Sequence, residues 1–379
     1  MKPSGIRKFF DLAAMMEGVI SLGVGEPDFQ TPWMVRKAAV DSLERKRMVY
    51  TANSGMMDLR KEICNYIQRK YQITYHSEHE TLVTVGGSEA IDLAIRAVVN
   101  PGDEVLVVEP SFVCYKPIVE LMHGVAVPIS TKLENRFKLT AEELRSHITE
   151  RTKMLILPYP NNPTGGIMTR KDLEAIAEVL RDTNILVLTD EIYSELTYGR
   201  KHVSIASIDG MWERTIYVSG FSKAFAMTGW RLGYVCAPEP IAKQMLKIHQ
   251  YAIMSAPTLS QYAAIVALRE CDKDVQKMVE EYNVRRRMLV DGFNRIGLTC
   301  FNPEGAFYMF PCIRSTGMSS EEFCEKLLQE EKVAVVPGNA FGDSGEGFVR
   351  VSYAYSLKHL QEALRRMENF VNRHQGESK

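Results

Sequence analysis

The sequence predicts an α/β protein, with a large domain built on a mostly parallel seven-stranded sheet and a smaller α+β domain beside it. Two patterns support this prediction. Between residues 81 and 236, short β-branched apolar runs alternate with stretches of helical period. After about Glu270 the pattern changes to long charged helices with a few strands between them. At 379 residues the chain is also long enough for two domains.

The predicted strands of the large sheet lack strict alternation of apolar and polar residues, as expected where both faces of a strand are covered. In chain order they are "TLVTV" (81 to 85), "EVLVV" (104 to 108), "VAVPI" (125 to 129), "KMLIL" (153 to 157), "ILVLT" (185 to 189), "TIYVS" (215 to 219) and "LGYVC" (232 to 236). The intervening "SEAIDLAIRAVV" and "RKDLEAIAEVLRD" have helical period and capping residues. This alternation is the βαβ signature of a largely parallel sheet.

The smaller domain is predicted from the helical segments "KDVQKMVEEYNVRRRMLVDGFNRIG" and "LKHLQEALRRMENFVNRH". Strands such as "KVAVVP" and "GFVRVSYA" lie between them. We expect the N-terminal 40 or so residues to pack with this part. The predicted division is therefore a large domain at 41–272 and a small domain formed by 1–40 and 273–379.

The charge and cysteine content exclude several classes of protein. With 46 basic and 47 acidic residues, the chain has no global field to recruit nucleic acid or an anionic membrane, so small molecules or a second copy are the expected partners. The seven cysteines are scattered, form no C-x-x-C pair, and are typical of reduced thiols in a cytoplasmic protein. No apolar stretch has the length of a membrane span, and no secretory signal is recognised. The eight histidines lack metal-ligand spacing, so no metal site is predicted.

Candidate functional residues follow the predicted strands directly. In an open α/β sheet, ligands bind beyond the carboxyl ends of the strands. Here those positions carry "GGSE", "EPSFVCY", "PYPNNPTGG", "DEIY" and "GFSK". Five strand ends are therefore expected to converge on one site.

Lys223 is the first of these candidates. It lies in "SGFSKAFAMTGWRLGY", among glycine, alanine and aromatic residues, with Arg231 eight positions on. Apolar surroundings and a nearby cation both lower the pKa of a lysine amine, and a neutral amine is what a Schiff-base nucleophile requires. Lys223 is therefore a candidate for covalent chemistry, against the alternative of a purely structural lysine.

Two further strand ends have both a functional and an ordinary interpretation. In "GGSEA", the backbone N–H groups of Gly87 and Ser88 and the start of a helix are suited to hold a phosphate, although Ser88 as the N-cap of an ordinary turn is an alternative. Asp190 ends an apolar strand, where an isolated carboxylate is costly unless a cation or several donors meet it. A protonated ring nitrogen fits that requirement, and an N-cap role for Asp190 is the alternative.

Taken together, "GEPDF", "NNPTG", "DEIY" and "SKAFAMTGWRLGY" identify a family. Over essentially its whole length the chain resembles the fold-type I aminotransferases of the aspartate and aromatic class, which depend on pyridoxal 5′-phosphate. The beginning of the chain is most similar to bacterial aromatic and N-acetyl-diaminopimelate aminotransferases. Several motifs in the right order are far more specific than any one of them.

The resemblance implies a role for each matching residue. Lys223 matches the lysine that binds the cofactor and moves the substrate proton, and Asp190 the acid that keeps the pyridine nitrogen protonated. Arg350 in "FVRVSYA" matches the arginine that holds the substrate α-carboxylate, although taken alone it reads equally as a surface strand residue. The remaining matches are Tyr193 and Asn162 at the cofactor phenolate oxygen, Phe112 stacked on the ring, Gly87, Ser88, Ser222 and Arg231 at the phosphate with Ser219 as a helper, Tyr50 reaching the phosphate from a second subunit, and Gly25 at the substrate carboxylate. Tyr115, three residues after Phe112, is expected mainly to pack.

The implied activity is a ping-pong transfer of an amino group between an L-amino acid, aromatic, aspartate or similar, and a 2-oxo acid such as 2-oxoglutarate. A homodimer with shared sites is implied by Tyr50. Two alternatives stay open at this point. One is a cystathionine β-lyase-like C–S lyase with the same cofactor, and the other is a non-catalytic regulator on the same fold.

Overall fold

The computed structural model describes residues 16–46 and 48–375. Its strands are β1 (Ile20–Ser21), β2 (Thr81–Thr84), β3 (Glu104–Glu109), β4 (Val125–Ser130), β5 (Thr152–Leu157), β6 (Leu186–Asp190), β7 (Thr215–Gly220), β8 (Gly233–Cys236), β9 (Tyr308–Met309), β10 (Val333–Ala334), β11 (Val336–Pro337) and β12 (Val349–Ser352). Its α-helices are α1 (Trp33–Arg45), α2 (Met57–Tyr71), α3 (Gly86–Val98), α4 (Tyr115–Leu121), α5 (Ala141–His147), α6 (Arg170–Leu180), α7 (Glu239–Ala252), α8 (Thr258–Glu270), α9 (Asp272–Arg295), α10 (Ser320–Glu331) and α11 (Leu357–Gln375).

The seven runs predicted as strands form one seven-stranded sheet, in the order β2-β8-β7-β6-β5-β3-β4. The neighbouring pairs β4–β3, β3–β5, β5–β6 and β6–β7 are parallel. Strand β8 runs antiparallel to both of its neighbours, β7 and β2. Strands β3, β6 and β7 are buried almost throughout, which is why their sequences read as continuous apolar runs. The predicted fold class is confirmed.

Helix α3 shows how the sheet positions a functional element. Its buried side chains, among them Ala90, Ile91 and Ala94, pack against β7 and β8. The helix begins at Gly86, directly after β2. Its N-terminus is therefore held at the edge where the predicted phosphate-binding residues lie.

The C-terminal part of the chain forms a second, smaller set of strands. Strand β12 lies between β11 and β9, and both pairs are antiparallel. Strand β1 pairs in parallel with β10, which ties the described N-terminal segment to this part.

The division into 41–272 and 1–40 with 273–379 stays a prediction. The pairing of β1 with β10 supports placing the N-terminal segment in the smaller domain. Helix α1, however, crosses the predicted boundary at residue 40 and packs against α8 of the large domain.

In the described parts of the chain, no helix combines the length and the apolar character needed to cross a membrane.

Candidate active site

A cavity of about 700 Å³ lies beyond the carboxyl ends of the central strands, where ligands bind in open α/β sheets. The structure brings most of the residues predicted from the sequence to its wall. Those residues are Gly25, Gly87, Ser88, Phe112, Asn162, Asp190, Tyr193, Ser222, Lys223, Arg231 and Arg350.

Lys223 is half-buried in this wall, and its amine donates a hydrogen bond to the carbonyl of Gly25 at 2.6 Å. The ammonium group also lies 5.8 Å from the ring centre of Tyr193. Burial lowers the pKa of Lys223 to about 8, and the positive charges of Arg350 and Arg231 act in the same direction. The amine is therefore much easier to deprotonate than an ordinary lysine, as the apolar sequence around it predicts.

Asp190 is a buried carboxylate that accepts hydrogen bonds from two neighbouring groups. One oxygen accepts a hydrogen bond from the Tyr115 hydroxyl at 2.7 Å, and the other accepts from the backbone N–H of Ile192 at 3.2 Å. Burial raises the pKa of the Asp190 carboxyl, and these two hydrogen bonds oppose that effect. The carboxylate also lines the cavity, so a protonated ring nitrogen can reach it.

Tyr115 was expected from the sequence mainly to pack, but in the structure it also makes a polar contact. Its ring is buried and meets Phe112 edge-on, with the ring centres 6.0 Å apart, and its hydroxyl holds Asp190. This contact has no signal in the sequence, because the partner lies 75 positions away and depends on the order of strands in the sheet.

Arg350 lies on β12 and reaches the cavity with its guanidinium group. One nitrogen donates to the side-chain oxygen of Asn162 at 2.8 Å, and another to the carbonyl of Gly23 at 2.5 Å. The third nitrogen, Nε, is buried and has no hydrogen-bond partner among the described residues. A buried cation with an unused donor, facing a cavity, is suited to bind a carboxylate.

The opposite end of the cavity is suited to bind an anion. Helix α3 begins there, with the unpaired N–H groups of its first turn and the positive end of its dipole. A Cβ added to Gly86, whose φ is +79°, would lie 2.7 Å from the guanidinium of Arg231, so glycine is what allows the arginine to lie against the helix start. Ser88 is not the N-cap, because the helix already begins two residues earlier.

Two predicted residues are not brought to the cavity. The Ser219 hydroxyl donates to the carbonyl of Glu191 at 3.3 Å, within buried surroundings, so its predicted contribution to phosphate binding gains no support here. Tyr50 is 81% exposed and lies in a groove with Leu43, Met48 and Val49, away from the cavity of its own chain. Its predicted role requires a second subunit.

Tyr308 is a cavity residue that the sequence reasoning missed. Its hydroxyl lies 2.8 Å from the Tyr193 hydroxyl, and its ring lies against the Arg350 guanidinium. In the sequence it stands within "GAFYMF", an aromatic run that is typical of a core strand. Nothing in that pattern distinguishes a tyrosine facing a site from one that only packs.

Comparison with known proteins gives a consistent picture. Residues 17–367 match the family model described as aminotransferase class I and II. A Bacillus subtilis (strain 168) protein, YugH, provisionally named an aminotransferase, is 53% identical over 98% of this chain and 97% of its own. The aspartate aminotransferase of Pyrococcus abyssi (strain GE5 / Orsay) is 46% identical over 98% and 96%. The crystal structure of an aromatic aminotransferase from Pyrococcus horikoshii OT3 superposes with a TM-score of 0.93 at 42% identity, covering 97% of this chain and 99% of that one.

Proposed function

Because the chain belongs to the class I and II aminotransferase family, we propose that its cavity is the active site of an aminotransferase with the residue roles set out below. The enzyme transfers an amino group between an amino acid and a 2-oxo acid, with pyridoxal 5′-phosphate as its cofactor. When bound, this cofactor withdraws electrons from the substrate Cα and carries the amino group between the two half-reactions. Nothing in the relatives or the cavity favours the C–S lyase or the non-catalytic regulator.

The cavity fits the cofactor at both of its ends. The start of α3 and the guanidinium of Arg231 form an anion-binding end suited to a phosphate, with the backbone of Gly87 and the hydroxyls of Ser88 and Ser222 beside it. The buried carboxylate of Asp190 suits a protonated ring nitrogen. We assign Phe112 to stack on the ring, since it lines the cavity next to Tyr115.

Lys223 is assigned to bind the cofactor and to move the substrate proton. Its lowered pKa makes the neutral amine accessible near pH 8, as a nucleophile and a general base require. Asp190 is assigned to keep the ring nitrogen of the bound cofactor protonated, which would allow the ring to withdraw electrons from the substrate Cα. Tyr193 and Asn162 are assigned to the phenolate oxygen of the cofactor, since both line the cavity, Tyr193 beside Lys223 and Asn162 beside Arg350.

Arg350 is assigned to orient the substrate through its α-carboxylate. Asn162 and the carbonyl of Gly23 fix the guanidinium plane, and the backbone at Gly25 lies beside Lys223. A carboxylate held at Arg350 places the substrate Cα near the amine that is to remove its proton.

The charges of the cavity support a preference for uncharged, and above all aromatic, amino acids. Among the described residues that line it, the cationic side chains are Lys223, Arg231 and Arg350. Each is already assigned, to proton transfer, phosphate or α-carboxylate, and the acid Glu26 also lines the wall. Within the described ranges, no further cation is thus available there for a side-chain carboxylate, and this observation carries the substrate proposal.

Steady-state kinetics with pyruvate, a 2-oxo acid without a second carboxylate, as the common acceptor tests this preference. We expect kcat/KM for phenylalanine to exceed that for aspartate by about tenfold or more, because an unpaired carboxylate beside Glu26 is unfavourable. Arg350→Ala, the control, should lower both values alike, because both substrates carry the α-carboxylate. A preference for aspartate would contradict the proposal and indicate a cation supplied from outside the described residues of this chain.

We also propose that the active unit is a homodimer. An apolar patch formed by Leu43, Met48, Val49, Tyr50 and Met254 is exposed to solvent. Exposed apolar clusters of this kind mark interaction sites. Since Tyr50 is predicted to complete a second subunit's site, a second copy of this chain is the partner that the patch supports.

Tyr50→Phe is expected to weaken cofactor retention, because it removes one hydroxyl from the phosphate site of the neighbouring subunit. The dissociation constant of pyridoxal phosphate should rise by roughly ten- to a hundredfold, the effect of one hydrogen bond to a charged group. Equilibrium dialysis measures this change, and analytical ultracentrifugation should show the dimer in both proteins. A fully active monomer would refute the shared site.

We propose a cytoplasmic location for the enzyme. Its seven cysteines are free thiols in the structure, spread between Cys64 and Cys324. Free thiols in this number are typical of a reducing compartment.

A further inference from the structure

The side chain of Tyr308 contacts two groups to which different tasks are assigned. Its ring faces the Arg350 guanidinium, with 4.6 Å between the guanidinium carbon and the ring centre. Its hydroxyl lies 2.8 Å from the Tyr193 hydroxyl. The residue is 1% exposed, so it has little freedom to move away from either contact.

The ring is one of two aromatic rings that lie against the Arg350 guanidinium. Phe341 faces the guanidinium from a ring-centre distance of 4.8 Å, and Tyr308 from 4.6 Å. Both aromatic faces stabilise the positive charge of the guanidinium and restrict the orientation of its plane. The hydrogen bond to Asn162 fixes the direction in which the guanidinium points. The ring of Tyr308 therefore prepares Arg350 for a planar carboxylate.

The hydroxyl has a separate consequence. A tyrosine hydroxyl has a single hydrogen, so Tyr193 can donate to a cofactor oxygen only if it does not donate to Tyr308. The Tyr308 hydroxyl then has to donate to Tyr193, and the two form a chain in which each hydrogen bond strengthens the next. The tight fit of Gly25 supports a fixed position for this hydroxyl, since an added Cβ there would lie 2.4 Å from the Tyr308 oxygen.

We propose that Tyr308 is a positioning residue with two separable actions, in which its ring orients Arg350 for the substrate carboxylate and its hydroxyl orients the Tyr193 hydrogen toward the cofactor. The proposal rests on the roles proposed above for Arg350 and Tyr193. It places substrate binding and tuning of the cofactor on one side chain.

Two substitutions separate these actions. Tyr308→Phe keeps the ring and removes the hydroxyl, whereas Tyr308→Leu removes both. The first measurement is calorimetric binding of 3-phenylpropanoate, a carboxylate that has no amino group to transfer, to the holoenzyme. We expect Tyr308→Phe to bind it within about twofold of the wild type and Tyr308→Leu to bind it about tenfold more weakly, as expected for loss of a desolvated cation–π contact.

The second measurement is the pH midpoint of the visible absorption change of the holoenzyme. A hydrogen bond donated by Tyr193 favours the anionic form of the cofactor oxygen, so losing it should raise the midpoint. We expect a rise of about 0.5 to 1 pH unit in Tyr193→Phe and a smaller rise in Tyr308→Phe. The double variant should shift no further than Tyr193→Phe alone, because the Tyr308 hydroxyl acts through Tyr193.

The outcomes distinguish a failure of the role proposed for Tyr308 from a failure of the proposed function on which that role rests. Equal loss of binding in Tyr308→Phe and Tyr308→Leu, or an unchanged midpoint in Tyr308→Phe beside a raised one in Tyr193→Phe, would overturn the role of Tyr308. Unchanged binding in Arg350→Ala would instead overturn the carboxylate site itself. Thermal unfolding checks that each variant folds. If Tyr308→Leu does not fold, Tyr308→Met replaces it in the binding measurement that tests the ring, and the midpoints of Tyr308→Phe, Tyr193→Phe and the double variant decide the action of the hydroxyl.

Discussion

Replacing Lys223 by alanine is expected to reduce steady-state turnover by at least about ten-thousand-fold, since it removes both the nucleophile and the general base. The wild-type amine is suited to both tasks. With its pKa lowered by burial to about 8, roughly a tenth of it is neutral at pH 7, against about one part in three thousand for an ordinary lysine. The loss should therefore appear in kcat, measured with any accepted amino acid.

The fold should survive this substitution. Within the described part of the chain, Lys223 makes one hydrogen bond, to the Gly25 carbonyl, and its truncation enlarges a cavity that is already present. Circular dichroism and thermal unfolding check this, and Lys201→Ala, which changes an exposed lysine outside the cavity lining, is the matched control. If Lys223→Ala retained steady-state transamination, the catalytic assignment would be wrong.

Asp190→Asn is expected to have the second-largest effect, a fall in kcat of about a thousandfold, comparable to the loss of one preorganised electrostatic group in an active site. Asparagine keeps the shape of the side chain but removes the negative charge that holds a proton on the ring nitrogen. Because the carboxylate is buried, no solvent ion replaces that charge. The matched measurement is kcat at saturating substrate, with cofactor occupancy determined separately.

Tyr115→Phe is the milder control for the same carboxylate. It removes the hydroxyl that donates to Asp190 at 2.7 Å and leaves the ring in place. A hydrogen bond to the charged form lowers a carboxyl pKa, so its loss should raise the pKa of Asp190 and move the acid limb of the pH–rate profile to higher pH. A turnover of Asp190→Asn within tenfold of the wild type would contradict the assigned role.

The large sheet could be predicted from the sequence because buried parallel strands leave continuous apolar runs such as "KMLIL" and "ILVLT". The convergence of the strand ends followed from the same reasoning. The order of the strands did not, since it depends on tertiary pairing, and the antiparallel direction of β8 is likewise not visible in "LGYVC".

The site was predictable where a residue stands in a distinctive motif, as Lys223 and Asp190 do. It was not predictable where a hydroxyl finds its partner through the fold. Tyr115 and Tyr308 look like packing residues in the sequence, yet each holds an assigned site residue. Ser219 is the converse case, because it stands in a motif but its hydroxyl bonds to a backbone carbonyl.

We propose that Lys223 and its neighbours catalyse transfer of an amino group in two separate half-reactions. The most direct test mixes purified holoenzyme with phenylalanine alone, without any acceptor, and records the absorption spectrum together with the product formed. We predict one equivalent of 2-oxo acid per site, a lasting change of the cofactor band, and its reversal on adding a 2-oxo acid acceptor such as pyruvate. Continuous release of ammonia without an acceptor, or no spectral change with any amino acid, would contradict the account.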